Sequence, residues 1–344
     1  HSSQLPEEAD IWKIDGSTVY FFNQLRGLQV LDMSNPADPR LTASLRMPEL
    51  GQDLYVIREA DGSRRLVLLT QDWSPQGGQT TRISLVKFNG NSPEVTHQQE
   101  IPGGLSDNRL VGDRLILVTS EWKSISGSWD GSWTSESRIS EWILKPDEAP
   151  LADGETVIVG ASPLIAAGAD WLAVSVHPQG DWNKSEVSVF AIKSTGLESM
   201  GAPTRTEGVI SSKFAISWND NVLTTVSQKN RWRGDTVSVL ENFRAWDPDV
   251  IRPMVVEGRL GMLELAKGEN LYATRFAGDR VYIVTFLQTD PLWVVDLKDP
   301  ANPTVSGHLE VPGYSTYLQP VGNYLFSVGL ESGTVAASLF DVTD

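Results

Sequence analysis

Apolar and polar positions along this chain alternate in blocks, not at a helical period. Seven times an apolar run meets a Gly or Asn turn and a second apolar run follows. The turns fall at Gly16, Gly62, Gly112, Gly168, Asn219, Gly278 and Gly322, spaced by 46, 50, 56, 51, 59 and 44 residues. Gly or Asn before a polar residue supplies the positive φ of a tight hairpin turn. The run after each turn is β-branched and aromatic with little alternation, which predicts a strand buried on both faces. No long i, i+3, i+4 stripe competes with this reading. Strand repeats of this period predict an all-β chain, a single β-propeller of seven blades with four antiparallel strands each.

The sharpest internal copy is Arg109-Leu-Val-Gly-Asp-Arg-Leu-Ile-Leu-Val-Thr119 against Arg275-Phe-Ala-Gly-Asp-Arg-Val-Tyr-Ile-Val-Thr285. Gln319-Pro-Val-Gly-Asn-Tyr-Leu-Phe-Ser-Val328 is a weaker one. A second repeat, Val30-Leu-Asp-Met-Ser-Asn-Pro-Ala-Asp-Pro39 and Val294-Val-Asp-Leu-Lys-Asp-Pro-Ala-Asn-Pro303, places paired prolines where no ladder can run. These are the predicted turns between third and fourth strands. Leu339-Phe-Asp-Val-Thr-Asp344 begins a third copy, so the last blade is expected to be incomplete at the C-terminus. Residues 1–9 are read as an N-terminal extension, one source of the missing strand, with a chain continuing past Asp344 as the other. Residues 10–344 are read as the propeller.

Glu8-Ala-Asp-Ile-Trp-Lys-Ile-Asp-Gly16, Arg26-Gly-Leu-Gln-Val-Leu-Asp32, Arg275-Phe-Ala-Gly-Asp-Arg280 and Thr289-Asp-Pro-Leu-Trp-Val-Val-Asp-Leu297 resemble the secreted β-propeller domain family of bacteria and archaea. That family is distantly similar to WD40-type propellers and has no established activity. The resemblance is strong at both ends of the chain and thin from about Ser120 to Gly268. It implies fold and export, and transfers no catalytic residue.

Charge and composition narrow the partners. With 44 acidic and 28 basic residues the net charge is −16, which repels phosphate backbones and disfavours nucleic acid. No apolar run of about 18 residues occurs, so no membrane insertion is expected within this chain. The absence of cysteine excludes disulfides, thiolate metal sites and a cysteine nucleophile. Acidity, the missing cysteine and the resemblance together favour a secreted, periplasmic or cell-surface protein.

The 12 tryptophans carry positional information. With strands lettered a to d from channel to rim, the Gly turns are a–b connections and the Pro-rich turns are c–d connections. The b–c and d–a connections then share the opposite face. The inferred b–c connections, among them Asp72–Gln79, Ser120–Ser137, His177–Ser185 and Ser227–Gly234, hold Trp73, Trp122, Trp129, Trp133, Trp182 and Trp232. Gln71, Gln76, Gln79, Gln179, Gln228, Arg231 and Arg233 lie near them. Loops on a rigid scaffold carry binding residues. Indoles beside amides and guanidinium groups suit a sugar face or an aromatic-anchored protein interface. The alternative is that the long loop packs its own tryptophans. Trp12, Trp142, Trp171, Trp218 and Trp293 read as core, and Trp246 has no assigned place. At the channel mouth, Asp53, Asp107, Arg109, Lys213, Arg275 and Tyr317 are the polar candidates. They are read first as pairs that keep the blades in register.

Chemistry is sparse. The four histidines are scattered, and only His177 opens a b–c connection. No nucleophile elbow, phosphate loop, dinucleotide fingerprint or zinc motif is present. Glu121, Asp130, Glu136 and Glu141 share the long loop and offer a glycosidase-type carboxylate pair. Calcium could use Asp130 or Asp181 with loop carbonyls; no other cofactor is predicted. The reading is a non-enzymatic exported binding or scaffold module for a protein or glycan, with the ligand on the b–c face. The alternatives are an extracellular carbohydrate-active hydrolase or lyase, and a purely structural domain of a larger envelope protein.

Overall fold

The computed structural model describes residues 7–8, 10–73, 78–124, 133–230, 236–244, 259–286, 290–311, 313–331 and 333–343. Strands are arranged in seven antiparallel sheets, one for each predicted repeat. Their strands are lettered a to d in chain order. The only helical piece among the described residues is the 3-10 turn Lys213–Ala215, capped by the Ser212 hydroxyl, which accepts from the Phe214 amide. Backbone contacts divide the chain into two compact units, His1–Pro163 and Leu164–Asp344.

The first unit holds three sheets. Sheet I runs Trp12–Asp15, Thr18–Asn23, Gly27–Asp32, Arg40–Leu45. Sheet II runs Leu50–Arg58, Arg64–Trp73, Gln79–Asn89, Ser92–Pro102. Sheet III runs Gly104–Val111, Arg114–Ser124, Trp133–Ile143, Leu151–Val159. Glu7–Glu8 add a short strand to the free edge of strand a of sheet III, opposite Leu110 and Arg109. The following residues hydrogen-bond to sheet II, where the Leu54 amide donates to the Asp10 carbonyl at 3.0 Å.

The second unit holds the other four, its border falling within strand a of sheet IV. That sheet runs Ala161–Ala167, Trp171–His177, Glu186–Lys193, with an outer edge split into Gly196–Ser199 and Thr204–Arg205. Sheet V runs Ile216–Asn219, Val222–Asn230, Thr236–Arg244, Arg259–Leu265. Sheet VI runs Asn270–Ala277, Arg280–Phe286, Asp290–Asp296, Thr304–Val311. Sheet VII has three strands among the described residues, Tyr314–Val321, Tyr324–Glu331 and Thr334–Asp341.

The cores lie between consecutive sheets of a unit. Tyr20, Phe22, Leu28 and Val30 of sheet I pack on Leu54, Leu66, Leu68 and Val86 of sheet II. Tyr55, Val67, Leu69 and Ile83 meet Leu110, Leu115 and Leu117 of sheet III. Each fully buried Leu or Val contributes about 1.5–3 kcal/mol relative to an exposed one. Strands b of sheets II, IV, V and VI are buried along both faces, as their unbroken apolar runs require. Thr18–Asn23 and Tyr324–Glu331 instead alternate. The Tyr20 and Phe22 face of Thr18–Asn23 packs on sheet II. This corrects the reading of Trp12 as core: it is 49% exposed, on the face of sheet I turned away from sheet II. Trp142, Trp171, Trp218 and Trp293 are partly buried against the cores.

Turn chemistry follows the sequence at most of the predicted positions. Gly112 and Gly278 take φ of 64° and 60° in equivalent turns, where a β-carbon is disfavoured. Two positions differ. Asn219 ends strand a opposite Val222, and the left-handed residues are the next two, Asp220 and Asn221. Gly168 has no positive φ; a β-carbon there would lie 2.0 Å from Trp171 Nε1, so the indole is what requires glycine.

Bulges recur at fixed places. Five sheets carry one extra residue in strand d. In three of them it is Thr42, Thr96 or Ser306, whose hydroxyl donates to the strand-c carbonyl of Val30, Leu85 or Val294 at 3.1, 3.2 and 3.1 Å. The extra residue leaves a ladder carbonyl unpaired, and the hydroxyl replaces the lost donor. In sheets II, III, VI and VII strand a also bulges. After that bulge, Asp53, Asp107, Ala273 and Tyr317 become equivalent, as do Tyr55, Arg109, Arg275 and Gln319 two residues on.

Candidate functional site

Polar and aromatic side chains gather in two places, at the b–c ends of the sheets and along the a strands.

At the b–c ends of sheets II and III the connection Gly103–Gly104 is clamped between the two hairpins. The Gly103 amide donates to the Gln79 carbonyl at 2.9 Å, and Gln71 Nε2 donates to the Leu105 carbonyl at 3.1 Å. A β-carbon on Gly103 would touch Ser120 O and Glu121 Cγ at 3.1 Å. Flanking this seam, Trp73 is 67% and Trp122 58% exposed. Leu25 and Leu50 are exposed at the same ends of sheets I and II. Gln71 and Gln79 thus spend hydrogen bonds on positioning the seam. The adjacent indoles leave large apolar surface in water, an arrangement that suits an amphipathic partner.

The hairpin of sheet III is longer than its sequence suggests, because strands b and c stay paired out to Ser124 and Trp133. Glu121 and Glu136 stand directly opposite each other across it. Lys123 Nζ lies 2.5 Å from Glu136 and 3.5 Å from Glu121. The bond to Glu136 is the main reason the Lys123 ammonium titrates above its ordinary value. Like charges facing across a ladder destabilise it, and the ammonium offsets that. Glu141 is not a loop residue: it is buried on strand c, with the Arg114 guanidinium 2.8 Å away. The paired strands carry it far from the loop tip.

In the second unit, Trp182 is 57% exposed in the b–c connection of sheet IV. Its ring lies 5.5 Å from that of His177, whose Nδ1 is 3.4 Å from the Lys184 carbonyl. Trp129, Asp130, Arg231, Trp232, Arg233 and Trp246 lie outside the described residues. Among the described residues, no group of three or more His, Asp or Glu side chains is arranged to hold a metal ion. Asp181 Oδ1 accepts the Asn183 amide.

On the a strands the two units differ in charge. In the first, Arg109 donates to its own-strand neighbour Asp107 at 2.6 Å. Asn108 Nδ2 donates to Asp53 at 2.7 Å and its Oδ1 accepts the buried Tyr55 hydroxyl at 2.5 Å. Burial pushes the Asp53 carboxyl up against the Asn108 bond, and Asp107 and Asp10 add to the rise. In the second unit Arg275 Cζ sits 4.4 Å, and Lys213 Nζ 5.6 Å, from the Phe214 ring centre. Arg275 and the Tyr317 hydroxyl both donate to Gln319 Oε1 at 3.0 Å. Burial, then the Arg275 charge, lower the Lys213 ammonium. Phe214 and Gln319 were not anticipated, although Gln319 aligns with Arg109 and Arg275 in the repeat.

Connections between sheets are pinned by charge. In the second unit, Glu207 precedes the Lys213 turn. It contacts Lys229 at 2.7 Å and Arg259 at 3.0 Å, and those bonds hold its carboxyl at about 2. Arg259 also reaches the fully buried Glu241 at 2.7 Å, and the Glu207 amide donates to the other Glu241 oxygen at 2.8 Å. At the opposite end of the sheets from the tryptophans, a cavity of about 590 Å³ between sheets I and II is lined by Asp15, Tyr20, Asp32, Arg64 and Phe88 among others. Its Asp15 is already bonded to Arg58 and Arg64.

The comparisons with known proteins agree with this architecture. An uncharacterized protein of Methanocaldococcus jannaschii is 41% identical over 143 residues, 41% of this chain and 22% of that protein. An uncharacterized protein of Archaeoglobus fulgidus is 51% identical over 77 residues, 22% of this chain and 12% of that protein. The chain therefore matches less than a quarter of the length of these relatives. A model of the β-propeller domain matches residues 5–148 and 145–344. With seven antiparallel sheets repeating one strand order and that match running nearly end to end, the chain belongs to the β-propeller domain family.

Proposed function

We propose that this chain is a non-enzymatic binding or scaffold module of an exported protein, and that its ligand sits at the b–c ends of the sheets. The carrying observation is the exposed pair Trp73 and Trp122 on either side of the clamped Gly103–Gly104 seam. The seam is held by backbone and amide hydrogen bonds, so the indoles stand on a rigid base, and little ordering entropy is left for binding to overcome. Export rests on the acidic composition, the absence of cysteine and the family resemblance. A glycan array and an envelope-protein pull-down test the reading. Binding that quenches indole fluorescence and is lost in Trp73→Ala and Trp122→Ala supports it. Binding untouched by both substitutions removes this surface from consideration.

A carbohydrate-active enzyme is the second reading, and the Glu121–Glu136 pair is the observation in its favour. Lys123 between the two carboxylates argues against it. Its ammonium lies 2.5 Å from Glu136 and 3.5 Å from Glu121, so both carboxylates already face a cation of the same hairpin. Product release from a bound glycan, abolished by Glu136→Gln, would reverse the preference.

A further inference from the structure

We infer that the first strands of sheets VI and VII, together with Lys213, form a binding site for an oxyanion, a carboxylate or phosphate group carried by a small ligand. The internal repeat supplies its own control. Arg109 and Arg275 occupy equivalent positions after equivalent bulges. Arg109 has a counter-ion two residues back in Asp107, at 2.6 Å. The residue equivalent to Asp107 in sheet VI is Ala273, and among the described residues no carboxylate pairs with Arg275. The strand has kept the guanidinium and dropped its internal partner.

The surroundings of Arg275 add to the positive charge. Lys213 and Arg275 both lie over the Phe214 ring, so the two charges sit within roughly 10 Å of each other, about one Debye length. Burial and the neighbouring guanidinium both act against the Lys213 charge. In a chain with net charge −16 these two cations over one ring concentrate positive charge locally. An oxyanion relieves their repulsion, and a planar guanidinium fork donates two parallel hydrogen bonds to a carboxylate or phosphate. The Tyr317 hydroxyl and the Gln319 amide flank the fork and fix its orientation from sheet VII. The overall negative charge disfavours a polyanion and restricts the ligand to one or two charges.

The test is isothermal titration of the whole chain with acetate and, separately, with inorganic phosphate, at ionic strength matched with chloride. Saturable one-to-one binding of at least one anion is expected. The tighter of the two identifies the ligand group. Arg275→Gln is expected to weaken binding at least tenfold and Lys213→Gln several-fold. Arg40→Gln, which removes one exposed positive charge elsewhere, is expected to leave it unchanged. Lys213 is only half-buried, so its variant remains informative where Arg275→Gln compromises folding. Absence of saturable binding by either anion overturns the inference, as does binding in Lys213→Gln equal to the unmodified chain. Neither result bears on the tryptophan surface, which lies on other residues.

Discussion

Arg259→Gln is the most discriminating perturbation of the fold near the Lys213 turn. The side chain bridges Glu207 at 3.0 Å and Glu241 at 2.7 Å. Glu241 is fully buried, and burial is the main cause of its raised pKa. Removing the guanidinium leaves that carboxylate with one backbone amide for support. Breaking a buried pair from one side costs about 3–5 kcal/mol. Arg259 is itself about a third exposed and its Glu207 contact is partly screened, so the expected loss is about 2 kcal/mol at pH 7. That corresponds to a drop in Tm of roughly 4–8 °C for a unit of this size.

The two carboxyls have opposite pH signatures. Glu207, held at about 2, contributes stability that is fully present above its unfolded value of 4.5 and is lost as pH falls toward 2. Glu241, with a raised folded value, binds its proton more readily folded than unfolded, so it subtracts stability as pH rises through and above the ordinary carboxylate range. Without Arg259 the Glu241 effect grows. The deficit of Arg259→Gln is therefore expected to shrink between pH 7 and pH 5, and Glu241→Gln in the same chain is expected to restore most of it. Urea unfolding followed by tryptophan fluorescence at both pH values, run as a double-mutant cycle, measures this. A pH-independent deficit below about 0.5 kcal/mol, or a double variant as weak as Arg259→Gln, would refute the argument.

Three further outcomes are expected. Trp73→Ala and Trp122→Ala should each change stability by less than about 0.5 kcal/mol, because both indoles are mostly in water, while abolishing ligand-induced quenching; thermal melts beside binding assays separate the two. Gly261→Ala would place a β-carbon 2.4 Å from the Pro300 carbonyl oxygen and 2.7 Å from that of Ala301, so it should cost about 1–3 kcal/mol by calorimetry, through displacement of the Pro-rich turn of sheet VI from sheet V. Thr96→Val keeps the bulge and removes its hydroxyl, and should cost about 1 kcal/mol in chemical unfolding, since the Leu85 carbonyl loses its donor.

Much of the fold is legible in the chain because its causes are local. The Gly or Asn turns and the β-branched runs after them recur seven times, the Pro-Ala-Asp-Pro and Pro-Ala-Asn-Pro segments occur once each, and all act over a few residues. Their strand order follows from short antiparallel connections. The exceptions are also instructive. Gly168 marks a turn for a different reason, contact with the Trp171 indole, and that contact is invisible until the side chain has a direction. Trp12 looks like a core residue because it is a large aromatic within a strand, but burial depends on which face meets sheet II.

The candidate site was less legible. Trp73 and Trp122 could be placed at b–c ends by counting strands, but their exposure depends on how far each hairpin extends. The sequence alone put Glu141 in a loop, whereas strand pairing in sheet III runs past it. Arg109 and Arg275 are indistinguishable within their repeated segment. What separates them is the residue two positions back and the neighbours brought in from the Lys213 turn and from strand a of sheet VII. By itself the sequence determined the element type, the turns and the repeat, because backbone sterics and side-chain period are properties of short segments. Only the tertiary structure decided which charges are paired and which aromatics remain in water, because those depend on groups that meet across sheets dozens of residues apart.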